Sequence, residues 1–372
     1  MSTAFTVADP SQIPSPALLF SLEAIRHNIF RMIQRAGGPE RLRPHVKTHK
    51  TRQIVRMQRD AGVVKHKAAT IAEAEMLAQE AVSEVLLAYP LVGPAARRFA
   101  KLVRTYPECR FLTTVDHPDL AEGLSQALVN ENVAVEVLLD VDVGQHRTGL
   151  PVGEAAFSLY GKIHQYPGLT PGGLHVYDGH NHQSSIGDRE AAALPPFERV
   201  LEFRDRLLDA GLPVPRIVLG GTPTFPVYSK VTLPGVELSP GTCVLSDHGY
   251  GTKYLDMGDF SPAALVLTRV ISKPTATRLT LDMGHKSVAG DPPMGKRARI
   301  MEIDDAEQVL HNEEHLVIET PQAARFRLGD VLYAMPTHIC PTCALHQEAI
   351  VIENGAVVDV WPIAARDRRL TI

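Results

Sequence analysis

The chain has 372 residues, of which 44% are hydrophobic and 22% are charged, and its formal net charge at neutral pH is −4. This composition is that of a soluble globular protein and excludes a disordered, collagenous or coiled-coil chain. The small negative charge gives no electrostatic basis for binding nucleic acid or an anionic membrane. At about 100–200 residues per domain, the length predicts two domains, or one barrel with an addition.

Cysteine content and hydropathy together predict a cellular compartment. The four cysteines are too few for a disulfide framework, which favours a reducing environment. The first residues show no basic segment followed by a long apolar run, and the most apolar stretches elsewhere are far shorter than the ~20 residues of a membrane helix. We therefore expect a cytoplasmic protein without a membrane span.

The first two thirds of the chain alternate short apolar runs with amphipathic stretches. Strands are predicted at 17–22, 41–46, 63–67, 84–88, 110–115, 134–140, 169–176, 216–219 and 236–238, and helices at 25–36, 51–61, 71–80, 92–105, 118–129, 153–166 and 191–210. Nearly continuous apolar strands are typical of a parallel sheet covered on both faces. Repeated strand–helix alternation over 17–244 predicts an α/β domain of the (β/α)₈ TIM-barrel type, with an open doubly wound sheet as the alternative.

The pattern of predicted secondary structure changes after about residue 245. Short β-prone segments at 266–272, 277–282, 298–303, 315–319, 331–334, 348–353 and 356–361 are separated by Gly, Pro, Asn and Asp, and no long helix is apparent among them. We expect residues 245–372, together with 1–16, to form a C-terminal all-β domain.

A basic segment, Arg-Leu-Arg-Pro-His-Val-Lys-Thr-His-Lys-Thr at 41–51, includes the end of an early β-run. A polar residue at the C-terminal end of a barrel strand faces the mouth where ligands bind. A lysine there can be desolvated, which lowers its pKa as a Schiff-base amine requires. The alternative is a solvated basic loop.

Two further segments offer catalytic or binding groups. Residues 174–183, Leu-His-Val-Tyr-Asp-Gly-His-Asn-His-Gln, hold three histidines that suit general-base chemistry, unless they form an ordinary polar loop. A Gly-Gly-Thr turn at 220–222 and a Ser-Pro-Gly-Thr turn at 239–242 each follow a predicted strand. Their backbone amides suit a phosphate group, since barrel phosphate sites often lie after the last two strands, although simple turns have the same sequences.

A metal-binding pair is predicted in the C-terminal region. His338 and Cys340, two residues apart on a segment expected to be extended, point to the same side. Imidazole and thiolate suit Zn²⁺, and two protein ligands leave positions for water and substrate, as in a catalytic site. Cys343 makes a Cys-x-x-Cys with Cys340, so a redox pair, a structural metal site and plain packing stay open.

Taken together, three of these stretches resemble one known family. They are Pro-Ala-Leu-Leu at 16–19, Arg-Pro-His-Val-Lys-Thr-His-Lys at 43–50, and the late His338-x-Cys340. The chain resembles, over nearly its whole length, the D-threonine aldolase / D-serine dehydratase family of fold-type III, alanine-racemase-like enzymes. The resemblance implies a barrel that binds pyridoxal 5'-phosphate (PLP), a β-domain that carries a metal, and a homodimer with active sites near the subunit interface.

The resemblance also assigns roles to individual residues. Lys47, not Lys50, corresponds to the lysine that forms the Schiff base with PLP, and Arg147 to an arginine near the cofactor. Tyr177 falls in the segment that faces the pyridine ring. The phosphate loops correspond to Gly220, Gly221, Thr222, Gly241 and Thr242, and the divalent-metal pair to His338 and Cys340.

Two reactions remain open within this family. D-threonine aldolases commonly carry His-x-Asp with a hard ion such as Mn²⁺, whereas His-x-Cys with Zn²⁺ is the pattern of D-serine and D-threo-3-hydroxyaspartate dehydratases. Cys340 therefore favours a dehydratase, while His182 and His180 lie where the aldolases place a catalytic base. We expect a lyase for β-hydroxy-D-amino acids, with the aldolase preferred over the dehydratase. A racemase and a non-catalytic PLP-binding protein are minor alternatives.

Overall fold

The computed structural model describes residues 7–372, so the part of the predicted β-domain at 1–6 lies outside the described residues. The strands are β1 (Ala17–Ser21), β2 (Lys65–Ala68), β3 (Glu84–Leu87), β4 (Arg110–Val115), β5 (Val135–Val141), β6 (Leu169–Val176), β7 (Ile217–Leu219), β8 (Val236–Leu238), β9 (Ala264–Ser272), β10 (Arg278–Leu281), β11 (Ala298–Ile300), β12 (Glu307–His311), β13 (Leu316–Glu319), β14 (Val331–Pro336), β15 (Glu348–Glu353) and β16 (Ala356–Pro362). The helices are α1 (Leu22–Ala36), α2 (Arg52–Asp60), α3 (Ile71–Gln79), α4 (Pro94–Thr105), α5 (Pro118–Asn130), α6 (Glu154–Lys162), α7 (Ile186–Asp209), α8 (Phe225–Tyr228), α9 (His248–Lys253) and α10 (Ile339–Leu345).

The chain divides into two compact units, and neither is a continuous stretch of sequence. The barrel unit comprises Met32–Lys47, Val55–Gly241 and Asp367–Ile372. The β unit comprises the described part of Met1–Arg31 together with Thr48–Ile54 and Thr242–Arg366. No helix within residues 7–372 combines the length and hydropathy needed to cross a membrane.

In the barrel unit, β2 to β8 form a parallel sheet in which every strand pairs with its neighbours in sequence. The segment predicted as a strand at 41–46 forms only two parallel bridges, Leu42 with Leu238 at one edge of the sheet and His45 with Lys67 at the other. This segment thus takes the place of the remaining barrel strand and joins the two edges. The predicted α/β barrel class is confirmed.

Apolar side chains from the parallel strands form a layer inside the barrel unit. Leu86, Leu112, Leu138 and Val218 come from β3, β4, β5 and β7, and each is completely buried. Burying one such side chain stabilises the fold by about 1.5–3 kcal/mol. Some of the helices begin at a side-chain cap; at α3, for example, the Thr70 hydroxyl accepts a hydrogen bond from the Glu73 N–H.

The β unit is built on a mixed sheet in the order β12-β13-β10-β9-β1-β15-β16, with β14 paired to β9 and to β11. The strand predicted at 17–22 belongs to this sheet and not to the parallel one. It is β1, which runs parallel to β15 and antiparallel to β9. Leu18, Leu19 and Phe20 are buried in this sheet. Both faces of β1 are covered, so its continuous apolar run looks like that of a parallel strand.

Local structure around the predicted metal pair differs from the sequence-based expectation. His338 has extended backbone, but it precedes α10, and Cys340 lies in the first turn of that helix. The extended segment expected at 338–340 is therefore wrong for Cys340. Strand β12 was not predicted, because its register with β13 shifts between Gln308 and Leu310 and breaks the alternation of buried and exposed residues.

Candidate active site

Three cationic side chains of the barrel unit surround one aromatic ring. Tyr177 directly follows β6, and the Lys47 Nζ lies 5.9 Å from its ring centroid. The Lys67 Nζ lies 5.8 Å from the same centroid, and the Arg147 guanidinium carbon 4.9 Å. Cations within about 6 Å of a ring are attracted to its face. Three predicted residues, Lys47, Arg147 and Tyr177, therefore meet at the end of the barrel where ligands bind.

Sequence analysis missed Lys67, which is almost fully buried on β2. Its Nζ lies 3.4 Å from the Nε2 of His175, and the Nδ1 of His175 is 2.7 Å from Asp140 Oδ1. Burial, reinforced by the charge of Lys47, lowers the pKa of Lys67 to about 7. The Lys-His-Lys of β2 gave no sign of this environment, because residues from other strands create it.

The two glycine turns contact each other in the barrel unit. The Gly241 N–H donates to the Thr222 Oγ1 at 3.0 Å, so the turns after β7 and β8 are adjacent, as the sequence predicted. Gly220 has a φ of +64°, and a Cβ there would lie 2.7 Å from the Thr224 Oγ1. A Cβ on Gly221 would lie 3.1 Å from the Tyr177 ring. Only glycines fit these two positions without displacing a neighbour.

These turns suit a phosphorylated cofactor. The Ser239 hydroxyl, between β8 and Gly241, is buried and has no hydrogen-bond partner within the described part of the chain. A buried hydroxyl usually has a partner, so a ligand oxygen would fill this role. With Lys47 as an amine and Arg147 as a fixed cation, the donor set fits PLP.

A buried carboxylate fixes the backbone beside Tyr177. Asp178 accepts hydrogen bonds from the Thr224 hydroxyl at 2.8 Å, the Tyr228 hydroxyl at 2.9 Å and the Asn181 side-chain amide at 3.2 Å. Burial raises the pKa of Asp178, although these donors oppose the change. Asp178 joins the segment after β6 to the turn after β7, which positions Tyr177.

The two predicted bases lie in different environments. His182 is exposed, whereas His180 is partly buried and packs against Gly144, where a Cβ would lie 3.0 Å from the His180 Nε2. The His180 Nδ1 is buried and has no hydrogen-bond partner among residues 7–372. His180 thus has a desolvated ring nitrogen available to a ligand.

In the β unit, the structure places His338 and Cys340 in contact. Burial opposes the change, but a hydrogen bond and the positive charge of His338 lower the pKa of the Cys340 thiol. The same pairing, with help from Asp291, outweighs burial and raises the pKa of His338 to about 9. The Thr48 hydroxyl is 3.2 Å from the Cys340 sulfur, and the Thr242 hydroxyl, predicted for the phosphate loop, is 3.7 Å from it.

This pair suits a divalent metal ion. The His338 Nδ1 is 2.6 Å from Asp291 Oδ2, the arrangement in which a carboxylate orients a metal-binding histidine. Imidazole and thiolate are ligands that Zn²⁺ favours. Within residues 7–372, no group of three or more His, Cys, Asp or Glu is arranged to hold a metal. The pair therefore needs further ligands from water or substrate.

The fold and this site define an alanine-racemase-like barrel protein with a lysine amine at its ligand-binding end. Residues 20–245 match the family model described as alanine racemase, N-terminal domain, and the chain belongs to this family. Residues 263–352 match the model described as a putative serine dehydratase domain. The predicted family, in which these two domains occur together, is confirmed.

Relatives of known activity match along almost their whole length. The chain is 29% identical to a D-threonine aldolase of Arthrobacter sp. over 96% of this chain and 94% of the relative. It is 25% identical to a D-threo-3-hydroxyaspartate dehydratase of Delftia sp., over 94% and 97%. The crystal structure of a D-threonine aldolase from Filomicrobium marinum superposes with a TM-score of 0.86 at 26% identity, covering 96% of each chain. Such aldolases and dehydratases are PLP-dependent lyases, so the predicted enzyme class is confirmed.

Proposed function

We propose that this protein is a PLP- and divalent-metal-dependent lyase that cleaves β-hydroxy-D-amino acids to glycine and an aldehyde, as a D-threonine aldolase does. The observation that carries the cofactor assignment is the convergence of Lys47 and Arg147 on Tyr177, next to two adjoining glycine turns. The full-length similarity to a D-threonine aldolase supports the choice of reaction.

Residues of the barrel unit would hold the cofactor. PLP, when bound, supplies an electron sink for the electrons of a broken bond at the amino-acid α-carbon. The Lys47 amine would attach it, and Arg147 would provide a fixed positive charge. Backbone amides of Gly220, Gly221 and Gly241, with the hydroxyl of Thr222, would bind its phosphate.

Residues of the β unit would hold the metal. A Zn²⁺ or Mn²⁺ ion supplies a Lewis acid for the substrate hydroxyl. His338 and Cys340 would be its protein ligands, and Asp291 would keep the His338 ring in its binding orientation.

A base must remove the hydroxyl proton for cleavage, and His180 and His182 remain the candidates. A proton acceptor works best where water is excluded and its geometry is fixed. The buried, unpartnered Nδ1 of His180 supports His180, since His182 is exposed.

The second candidate is a dehydratase that releases ammonia and a 2-oxo acid from D-serine or D-threo-3-hydroxyaspartate. Cys340 in the metal pair and the serine dehydratase model over 263–352 favour this reaction. In that case the Lys47 amine, once released from the cofactor, would remove the α-proton.

One assay separates the two reactions. The protein is supplied with PLP and Zn²⁺ or Mn²⁺ and is incubated with D-threonine and with D-serine. Glycine plus acetaldehyde from D-threonine is expected. Pyruvate and ammonia from D-serine would instead show that the protein is a dehydratase.

The cofactor lysine is tested by absorbance. Lys47→Ala should abolish the visible band that PLP acquires when it is attached to a lysine. Lys50→Asn is the matched control, because asparagine tolerates the left-handed backbone that Lys50 adopts at a φ of 52°. A band that persists in Lys47→Ala would disprove the lysine assignment.

We also propose a cytoplasmic homodimer. The four cysteines are all free in the structure, which supports a reducing compartment. Sedimentation equilibrium of the PLP-bound protein should give twice the mass of 40.7 kDa.

A further inference from the structure

Two lysines of β2 occupy the same face of the strand but have different partners. Lys65 and Lys67 are two residues apart, so their side chains point to the same side of the sheet. The Lys65 Nζ forms an ion pair with Glu237 Oε1 at 2.8 Å. Within the described residues no carboxylate forms an ion pair with Lys67, whose partner is His175. Lys67 is therefore a buried amine without a counter-charge in contact.

His175 positions the Lys67 amine but does not balance its charge. The Nδ1–H of His175 donates to the Asp140 carboxylate at 2.7 Å, which leaves the Nε2 lone pair to accept from Lys67. Burial, reinforced by the charge of Lys67, lowers the pKa of His175, so the ring is neutral. Asp140 also accepts from the Thr148 hydroxyl at 2.8 Å. Its carboxylate reaches Lys67 only through the imidazole.

The charged groups around Lys67 are of both signs. Those that act on it are the cations Lys47 and Arg43 and the anions Asp140 and Asp178, and Arg147 faces the adjoining His175. Burial has the largest effect on the pKa of Lys67, and the charge of Lys47 has the next largest. A burying environment with a second cation nearby favours the neutral amine until an anion arrives.

We propose that Lys67 is an anion-binding residue of the barrel site, which pairs as an ammonium group with an anionic oxygen of the bound ligand. The geometry that carries this proposal is the shared approach of Lys67, Lys47 and Arg147 to Tyr177. The inference rests on the proposed function in that it takes this end of the barrel as the ligand site. The oxygen comes from the cofactor ring, its phosphate or the amino-acid carboxylate, which share the same chemistry.

The pairing requires a proton from solvent. With a pKa of about 7 in the ligand-free protein, Lys67 is mostly a neutral amine at pH 8. An adjacent anion favours the charged form, so the amine gains a proton as the ligand binds. Conversion of the neutral amine to the ammonium group takes up at most about one proton per chain.

Calorimetry in buffers of different ionisation enthalpy at pH 8 measures this uptake. PLP and inorganic phosphate are titrated into cofactor-free protein, and glycine into PLP-loaded protein. Protons exchanged when PLP reacts with Lys47 occur in every variant, so the informative quantity is the difference from Lys67→Met. Lys67→Arg keeps a permanent positive charge, and Lys65→Met is the matched control on the same face of β2.

With at least one probe, the wild type and Lys65→Met should take up more protons than Lys67→Met. Lys67→Arg should bind within a few-fold of the wild-type affinity without the extra uptake, whereas Lys67→Met should bind about tenfold to a hundredfold more weakly. Extra proton uptake with inorganic phosphate identifies the phosphate as the partner of Lys67. Extra uptake with PLP but not with phosphate identifies another oxygen of the cofactor, and extra uptake with glycine identifies the amino-acid carboxylate. Circular dichroism checks that each variant is folded.

Equal uptake together with equal affinity in the wild type and Lys67→Met, with all three probes, overturns the proposal, and so does an equal loss in Lys65→Met. The proposed function fails separately. If no visible PLP band and no lyase product appear, the function is wrong, whatever the uptake. If the band and product appear while neither uptake nor affinity depends on Lys67, only the role of Lys67 is wrong.

Discussion

The candidate site residues of the two units differ in how their charges are paired. In the barrel unit, the amines of Lys47 and Lys67 and the guanidinium of Arg147 approach one neutral aromatic ring, so groups that can carry positive charge accumulate there. In the β unit, His338 and Cys340 compensate each other, and Asp291 contacts the histidine. An accumulated charge attracts a ligand of opposite sign, whereas a compensated pair binds a cation only after it gives up its proton. The first unit is thus prepared for an anionic ligand and the second for a metal ion.

The sharpest difference within the barrel unit is between the two candidate bases. His180→Gln should lower the rate of aldehyde release from D-threonine by about 10²–10⁴-fold, because the variant lacks the buried nitrogen proposed to accept the hydroxyl proton. The matched variant His182→Gln should change the rate by no more than a few-fold, measured as kcat at saturating substrate. The reverse order of effects would assign the base to His182.

The barrel unit also contains a buried cation that is paired with carboxylates. Its removal tests whether charge elsewhere in this unit acts on stability and not on ligand binding. Arg43 is fully buried and pairs with Glu84 and, at 2.5 Å, with Glu237. Arg43→Met should lower the free energy of unfolding by about 3–5 kcal/mol, because two carboxylates lose a buried partner. Urea unfolding provides the measurement. The control Arg26→Ala, which breaks an exposed pair with Glu353, should cost at most about 1 kcal/mol.

In the β unit, the carboxylate that contacts His338 can be removed without altering either proposed metal ligand. Asp291→Asn should weaken Zn²⁺ binding by about 10–100-fold, because the imidazole loses its orienting partner. Competition with a chromophoric chelator measures the affinity. Asp304→Asn is a suitable control, since Asp304 is exposed and forms a surface ion pair with Arg299 at 3.0 Å. Unchanged affinity in Asp291→Asn would argue against a metal at His338.

The smallest expected effect concerns the space beside Tyr177. Gly221→Ala places a methyl group 3.1 Å from the ring, so the ring must shift by a few tenths of an ångström. We expect PLP affinity to fall a few-fold, about 1 kcal/mol, with no change in protein stability beyond that amount. Gly251→Ala, where a Cβ meets nothing within 4 Å, is the control for fluorescence titration with PLP.

Sequence reasoning succeeded where one stretch of chain determines its own environment. The strands at 110–115, 169–176 and 236–238 have the predicted bounds, because apolar runs end at turn-forming residues. Lys47, Arg147 and Tyr177 were found through motifs. Lys67 was missed, since its neighbours come from β5, β6 and the loops that follow. A lysine in a strand looks like any solvated lysine until its partners are known.

The β unit shows the same limit at the level of whole strands. β1 has the apolar run of a buried strand, and that run does not reveal which of the two sheets the strand joins. Its partners β9 and β15 lie hundreds of residues further along the chain. Likewise, the spacing of His338 and Cys340 predicted an extended segment, whereas α10 begins at Ile339.

The pairing of β1 with β15 sets an order of events during synthesis. Leu19 pairs with Ile350, so β1 must wait for a strand that is synthesised hundreds of residues later. The helices and parallel strands between them pair with near neighbours and can form while translation continues. We expect an arrested nascent chain ending near residue 245 to keep its first strand exposed and protease-sensitive, until release of the full chain protects it.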